Sequence, residues 1–189
     1  MEQTALTPDF SFLERAEASG PFNAAECFQC RKCTNGCPTS FEMDLFPDQV
    51  IRLAILGQMN EVLHSKTIWV CASCETCSTR CPNGVRIAEL MDYFKEMAIR
   101  DSITPALPRV AAFHQTFLNN VRRSGRVFEG TLLPAWWLKS GQVGEKLWTG
   151  GVFGDVKQAI GLLRRSRMSL MPHKIKAKSE VKEILSSSR

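Results

Sequence analysis

The chain has 189 residues, 44% of them hydrophobic, and a formal net charge of +5. That is enough apolar content for one globular domain with extensions, and no stretch approaches the roughly 20 consecutive apolar residues needed to cross a bilayer. The opening MEQTALTPDF has neither the basic start nor the apolar run of a secretory signal, so a cytoplasmic location is expected.

Residues 1–22 read as an N-terminal arm with one short helix, its stripe formed by Phe12, Leu13 and Ala16 and its end marked by Gly20-Pro21. The stretch CFQCRKCTNGCP follows at Cys27–Pro38. A helix is expected next, with Asp44 as its cap, Pro47 in its first turn, Val50, Ile51, Ala54 and Ile55 on one face, and Gly57 as its stop. A shorter helical piece falls near Glu61–His64. TIWV, Thr67–Val70, is the one stretch that reads as a strand. It leads into CASCETCSTRCP, Cys71–Pro82. Ile87, Leu90, Met91, Phe94, Met97 and Ala98 then trace the clearest amphipathic helix, closed off by Pro105. Val110, Phe113, Phe117 and Val121 share the face of another helix before Gly125. Beyond it, repeated glycines predict short elements joined by turns, with a last helix near Glu180–Leu185.

Charge divides the chain. Residues 1–101 carry 9 Lys and Arg against 14 Asp and Glu, and residues 102–189 carry 15 against 5. This sets a boundary between a domain at 23–101 and a basic C-terminal extension at 102–189, read as a surface for partner docking. The basic half has no aromatic platforms or reading motif, so nucleic acid is not an expected partner. No Ser/His/Asp arrangement, glycine-rich phosphate loop or pair of catalytic carboxylates is legible, and no residue reads as catalytic.

The eight cysteines carry the chemistry. Each motif reads C-x2-C-x2-C-x3-C-P, and the two begin 44 residues apart. In a reducing compartment such density points to metal rather than disulfides. Three cysteines two residues apart let a turning backbone offer three sulfurs to one cubane cluster, with N–H groups facing its sulfides. Proline after the fourth disfavours helix there and turns that sulfur away. In two-cluster ferredoxins of this spacing the fourth cysteine ligates the other cluster. The same crossing assigns Cys27, Cys30, Cys33 and Cys81 to one 4Fe-4S cluster, and Cys71, Cys74, Cys77 and Cys37 to a second. Two oxidised clusters with their thiolates add roughly −4 to the acidic half. A zinc-stabilised interaction module is the alternative from another class, but zinc knuckles leave the third cysteine of each triplet unexplained. Arg31 and Lys32 flank the first motif while Glu75 and Arg80 flank the second, which predicts a higher potential for the first cluster.

Two such motifs around an amphipathic helical segment resemble the α-helical ferredoxin domain, which also occurs in the iron–sulfur subunits of succinate dehydrogenase and fumarate reductase. The chain more closely resembles the C-type subunits of heterodisulfide reductase, through ECFQCRKCTNGCP, IRLAILGQ, IWVCASCETCSTRCPNGVRI and, in the tail, MSLMPHKIK. The resemblance implies a mainly α fold: a two-cluster domain followed by a helical and irregular tail. It implies an oxidoreductase subunit, non-catalytic on its own, that relays electrons from a flavin-bearing A-type partner to a disulfide-reducing B-type partner. The assembly would be a hetero-oligomer, with a dimer of heterotrimers as one form. It implies the eight cysteines as the only ligands carried over. An iron–sulfur subunit of another oxidoreductase, quinone-linked or sulfur-oxidising, is the nearer alternative. A respiratory succinate dehydrogenase subunit is disfavoured, because the plant-type C-x4-C-x2-C motif is absent.

His64, His114 and His173 are scattered and read as packed or surface residues rather than ligands. Trp136 and Trp137, with Leu132, Leu133 and Leu138, form an apolar knot in the basic half. It suits a protein partner, a membrane surface or simple packing.

Overall fold

A computed structural model describes residues 7–141, 143–144, 148–149, 151–165, 167 and 175–187. Most of the MSLMPHKIK stretch, His173 included, lies outside them. The described residues contain helices and turns and no strand, as expected for a mainly α chain. They fall into two compact units, residues 1–107 and 108–189.

Among the described residues the first unit has seven α-helices: α1 Ser11–Ser19, α2 Lys32–Gly36, α3 Pro47–Ile55, α4 Met59–Leu63, α5 Thr67–Val70, α6 Thr76–Arg80 and α7 Ile87–Arg100, with short 3-10 turns at Ala24–Glu26 and Ser40–Glu42. Its core is the meeting of two amphipathic stripes. Val50, Ile51 and Ala54 come from α3, and Ile87, Leu90, Met91, Phe94 and Ala98 come from α7, all buried. Val62 and Leu63 of α4 and Ile68 and Trp69 of α5 fill the space beside them. Full burial of one such side chain stabilises the fold by about 1.5–3 kcal/mol, so this stripe supplies a rigid floor. Phe12 and Ala16 of α1 close the core from the N-terminal side, with the Phe12 ring 6.2 Å from that of Phe94.

Two helix starts differ from the sequence reading. Asp44 does not cap α3. That helix begins with Pro47 in its first turn, and the Gln49 side-chain oxygen accepts from the Phe46 N–H at 2.8 Å. Asp44 instead reaches across the fold to α5. Its carboxylate accepts from the N–H groups of Lys66 at 2.8 Å and Thr67 at 3.0 Å, and from the Thr67 hydroxyl at 2.8 Å. Those are donors that a helix N-terminus leaves without an internal partner. Their satisfaction explains why TIWV is a helical turn and not a strand.

Gly57 ends the α3 region at φ +72°, and the Asp9 carbonyl packs where a side chain would begin. The Asp9 N–H donates to the Leu56 carbonyl at 3.0 Å, and the Gln58 amide donates to the Thr7 carbonyl at 2.9 Å. Together they dock the N-terminal segment.

In the second unit, α8 spans Pro108–Ser124, α9 Glu129–Lys139, α10 Gly151–Arg164 and α11 Lys178–Ser187. The 14-residue α10 runs through Gly154 and Gly161, so the glycine-rich tail is more continuously helical than its text suggests. The turn between α8 and α9 is held by the buried Asn120. Its amide oxygen accepts from the Phe128 N–H at 2.8 Å, while its NH2 donates to the Thr131 hydroxyl at 2.8 Å. Trp136 packs edge-on to Phe113, centroids 5.6 Å apart, and its indole N–H donates to the Arg109 carbonyl at 3.0 Å. Within the expected apolar knot, Trp136 and Leu132 therefore serve the packing of α9, while Leu133 and Leu138 stay exposed.

Candidate functional site

The two motifs adopt the same backbone path. In the first, Gln29 and Arg31 both take φ 61°, on either side of Cys30. In the second, Ser73 at 49° and Glu75 at 60° flank Cys74 in the same way. None of the four is glycine, so each holds a left-handed conformation that L-residues adopt at a cost. The repetition of this strain at equivalent positions marks a shared purpose. It wraps the loop so that the first three cysteines turn inward. Cys30 and Cys74 sit at the exposed apices. Cys33 and Cys77 follow as the second residues of α2 and α6. Cys37 and Cys81 end those helices in extended conformation, at φ/ψ −76°/122° and −72°/119°, as the following proline requires.

Helices α2 and α6 pack on each other, and Gly36 lets the Arg80 side chain cross closely. That packing carries each fourth cysteine to the opposite loop. Cys27, Cys30, Cys33 and Cys81 line one small cavity. Cys37, Cys71, Cys74 and Cys77 line another. Ile87, fully buried, lines both cavities and forms the apolar wall between them. Among the described residues no three Cys, His, Asp or Glu side chains close on a single point as they would around one ion; these sulfurs ring a space.

Polar groups converge on the sulfurs. The Gln29 amide donates to Cys27 Sγ at 3.3 Å, and the Val85 N–H donates to Cys81 Sγ at 3.4 Å. At the other cavity the Thr39 hydroxyl lies 3.5 Å from Cys37 Sγ, and the Thr76 hydroxyl 3.4 Å from Cys74 Sγ. Burial pushes the Cys33 and Cys71 thiols up, and burial next to Cys71 pushes Cys77 up to about 11. Hydrogen bonding to Thr76, side chain then backbone, draws the exposed Cys74 down. The buried thiols therefore hold their protons at neutral pH, and a metal must displace them on binding.

Each loop is pinned by one aspartate from the helical floor. Asp48 of α3 meets Arg31, Nε to Oδ2 at 3.5 Å, and accepts a very short bond from the Thr34 hydroxyl. Asp92 of α7 accepts from the Ser73 hydroxyl at 2.6 Å and from Lys95 Nζ at 3.0 Å. Lys95 also donates to the Cys71 carbonyl at 3.0 Å. Asp48, Asp92 and Lys95 escaped the sequence reading, yet a signal was there: Asp48 and Asp92 are 44 residues apart, the period of the cysteine motifs. Of the histidines, His64 is exposed beside the Asn60 carbonyl and His114 packs near Phe113; neither lines a cysteine cavity.

The donor chemistry fits iron–sulfur ligation, with soft thiolates gathered four to a cavity and polar groups aimed at the sulfurs. Comparison with known proteins agrees. Residues 23–85 match the family described as the 4Fe-4S dicluster domain. Over 106 residues the chain is 32% identical to the C-type subunit of the H(2):CoB-CoM heterodisulfide,ferredoxin reductase of Methanothermobacter marburgensis, covering 56% of this chain and 57% of that protein. It is 31% identical over 114 residues to the C-type iron-sulfur subunit of the CoB–CoM heterodisulfide reductase of Methanopyrus kandleri, covering 57% and 59%. A third relative, the C2-type subunit of the H(2)/formate:CoB-CoM heterodisulfide,ferredoxin reductase of Methanococcus maripaludis, is 39% identical over 72 residues, 38% and 39% of the two chains. The match thus spans little more than half the length of these relatives at most. About half of the chain is thus similar to C-type subunits of heterodisulfide reductases, with a 4Fe-4S dicluster match inside that half, and no described helix is long and apolar enough to cross a membrane.

Proposed function

We propose that this chain is the electron-transfer subunit of a heterodisulfide reductase-type complex, holding two 4Fe-4S clusters. Cys27, Cys30, Cys33 and Cys81 ligate the first; Cys71, Cys74, Cys77 and Cys37 ligate the second. The grouping of the eight sulfurs into two crossed sets around separate cavities carries this reading. A bound cluster supplies reversible one-electron storage. The protein's part is to hold the sulfurs at fixed positions, to exclude water with Ile87 and the α7 stripe, and to keep the two sites adjacent. Residues 7–22 brace the core as an arm, 23–101 form the two-cluster domain, and the basic 102–189 extension docks to partners. Those partners, in keeping with a C-type role, are a flavin-bearing A-type donor and a disulfide-reducing B-type acceptor, in a cytoplasmic hetero-oligomer. No substrate is transformed on this chain.

The crossing is tested with paired cysteine substitutions in anaerobically reconstituted protein. The parent chain is expected to bind about eight iron and eight sulfide. Cys27→Ser with Cys81→Ser, both from one set, keeps about half of each. Cys27→Ser with Cys37→Ser, one from each set, loses nearly all. The reverse pattern would mean that each motif ligates its own cluster. Zinc in place of iron and sulfide would remove the relay altogether.

A further inference from the structure

The two sites look alike in sequence but are charged differently in three dimensions. Each loop is held by an acid–base pair that is formally neutral. At the first site the buried member is the acid: the Asp48 side chain is 8% exposed and lines the cavity, while its partner Arg31 is 75% exposed. At the second the more enclosed member is the base: the part-buried Lys95 side chain is 11% exposed and Asp92 48%. Water and salt screen the exposed partner far more than the buried one. A pair split in this way leaves the field of its buried member inside the protein. That field is negative beside Cys33 and positive beside the Cys71 carbonyl, where Lys95 Nζ makes its bond. Arg31 and Lys32 also border the first cavity, but both side chains are exposed, as are Glu75 and Arg80 at the second loop, so solvent screens all four. Each cavity also has two polar contacts at its sulfurs, N–H donors to sulfur at the first and threonine hydroxyls at the second, and these are neutral groups rather than full charges.

We propose that Asp48 and Lys95 set an electrostatic step between the two sites, so that an electron is held more readily at the site of Cys71, Cys74, Cys77 and Cys37. This rests on the two-cluster reading above. It reverses the order expected from Arg31 and Lys32, because Arg31 is spent at the surface against a buried carboxylate. Reduction adds one negative charge to a site, so a buried cation favours it and a buried anion opposes it. Transfer across Ile87 is then downhill from the first site to the second. One electron lost at the first is one gained at the second, with no bond made or broken and no proton required. An external one-electron donor, a reduced flavin or iron–sulfur partner, would engage the first site.

The test is an anaerobic redox titration of the full chain, followed by electron paramagnetic resonance, with iron content measured on every variant. The Cys27→Ser, Cys81→Ser chain keeps only the second site, and it is expected to report the higher of the two parental midpoints. Lys95→Met lowers that midpoint and leaves the other in place, while Lys95→Arg restores it. Asp48→Asn raises the lower midpoint alone, so the two variants narrow the gap from opposite sides. A merely structural role for either residue would alter cluster content without these opposed, site-selective shifts. If Lys95→Met fails to retain its cluster, Asp48→Asn still decides the matter. Two intact clusters whose single-site variant reports the lower midpoint, or whose midpoints ignore both substitutions, would overturn the step and leave the two-cluster reading standing. A parent chain without iron would overturn both.

Discussion

Asp44→Ala is the most informative substitution outside the cysteines. Asp44 lies seven residues past Cys37 and holds the start of α5, whose C-terminal cap is Cys71. Removing its carboxylate strips the acceptor from the Lys66 and Thr67 N–H groups, while the Thr67 hydroxyl keeps the Leu45 carbonyl as its acceptor. Loss of an N-capping side chain costs typically about 1 kcal/mol, and one further hydrogen bond about 1 kcal/mol. Asp44 is exposed, so water recovers part of the charge-assisted strength, and the expected loss is roughly 2 kcal/mol. Although burial opposes it, the combined hydrogen bonds from Lys66, Thr67 and Leu45 hold the Asp44 carboxyl below its ordinary range. A depressed carboxylate contributes stability that is complete above its unfolded value and lost as pH falls through its folded value. The difference between parent and variant should therefore be flat from about pH 5 to 8 and shrink below about pH 4. Native-state hydrogen exchange reads the effect where it occurs: 2 kcal/mol is about a 30-fold loss of protection at the Thr67 amide. Asp44→Asn, which keeps an oxygen acceptor without the charge, should fall between the two. Unchanged protection at Lys66 and Thr67, with less than about 0.5 kcal/mol lost in urea unfolding, would refute the idea that this carboxylate builds α5.

Gly57→Ala places a Cβ against the Asp9 carbonyl and forces an L-residue to φ +72°. The backbone conformation alone costs about 1–2 kcal/mol, and the collision should release residues 7–19, seen as new cleavage there in limited proteolysis. Gly57→Asn tolerates the dihedral but not the collision, so it should be cleaved as readily. In the second unit, Asn120→Ala leaves the Phe128 N–H without its acceptor, at about 1–3 kcal/mol. Thermal melts of the variant should show that loss, and an unaltered melt would mean the α8–α9 turn does not depend on it. In metal-free reduced protein, the Cys77 thiol rises to about 11 on folding, so its contribution is complete below about pH 8.5 and disappears as pH climbs toward about 11. The melting temperature of the parent chain should then fall more steeply over that range than that of Cys77→Ser, whose hydroxyl does not titrate. Equal slopes would show that the thiol is not buried as described.

Much of this molecule was legible without coordinates. The apolar stripes of α3 and α7 are periodic enough to identify both helices and the core between them. The prolines after Cys37 and Cys81 announce an extended exit, because a ring on the next nitrogen excludes helix there. Other features were not legible locally. TIWV has the β-branched and aromatic content of a strand and becomes a helical turn because a carboxylate 23 residues earlier meets its first N–H groups. The left-handed residues of the loops, Gln29, Arg31, Ser73 and Glu75, have no glycine to advertise them; the surrounding packing imposes the conformation.

The sequence by itself determined which groups the protein has and in what local rhythm: eight thiols in two triplets with a trailing cysteine, twin aspartates at the same period, and helices to support them. Bond geometry and side-chain periodicity act over a few residues, so those features survive in one dimension. Only the tertiary structure decided which charge of each ion pair faces water. Arg31 is conspicuous in the text and lies at the surface, whereas Lys95 is inconspicuous there and lies largely enclosed against the Cys71 loop. The strength of a charge depends on the dielectric around it, and that is a property of the packed chain rather than of its order.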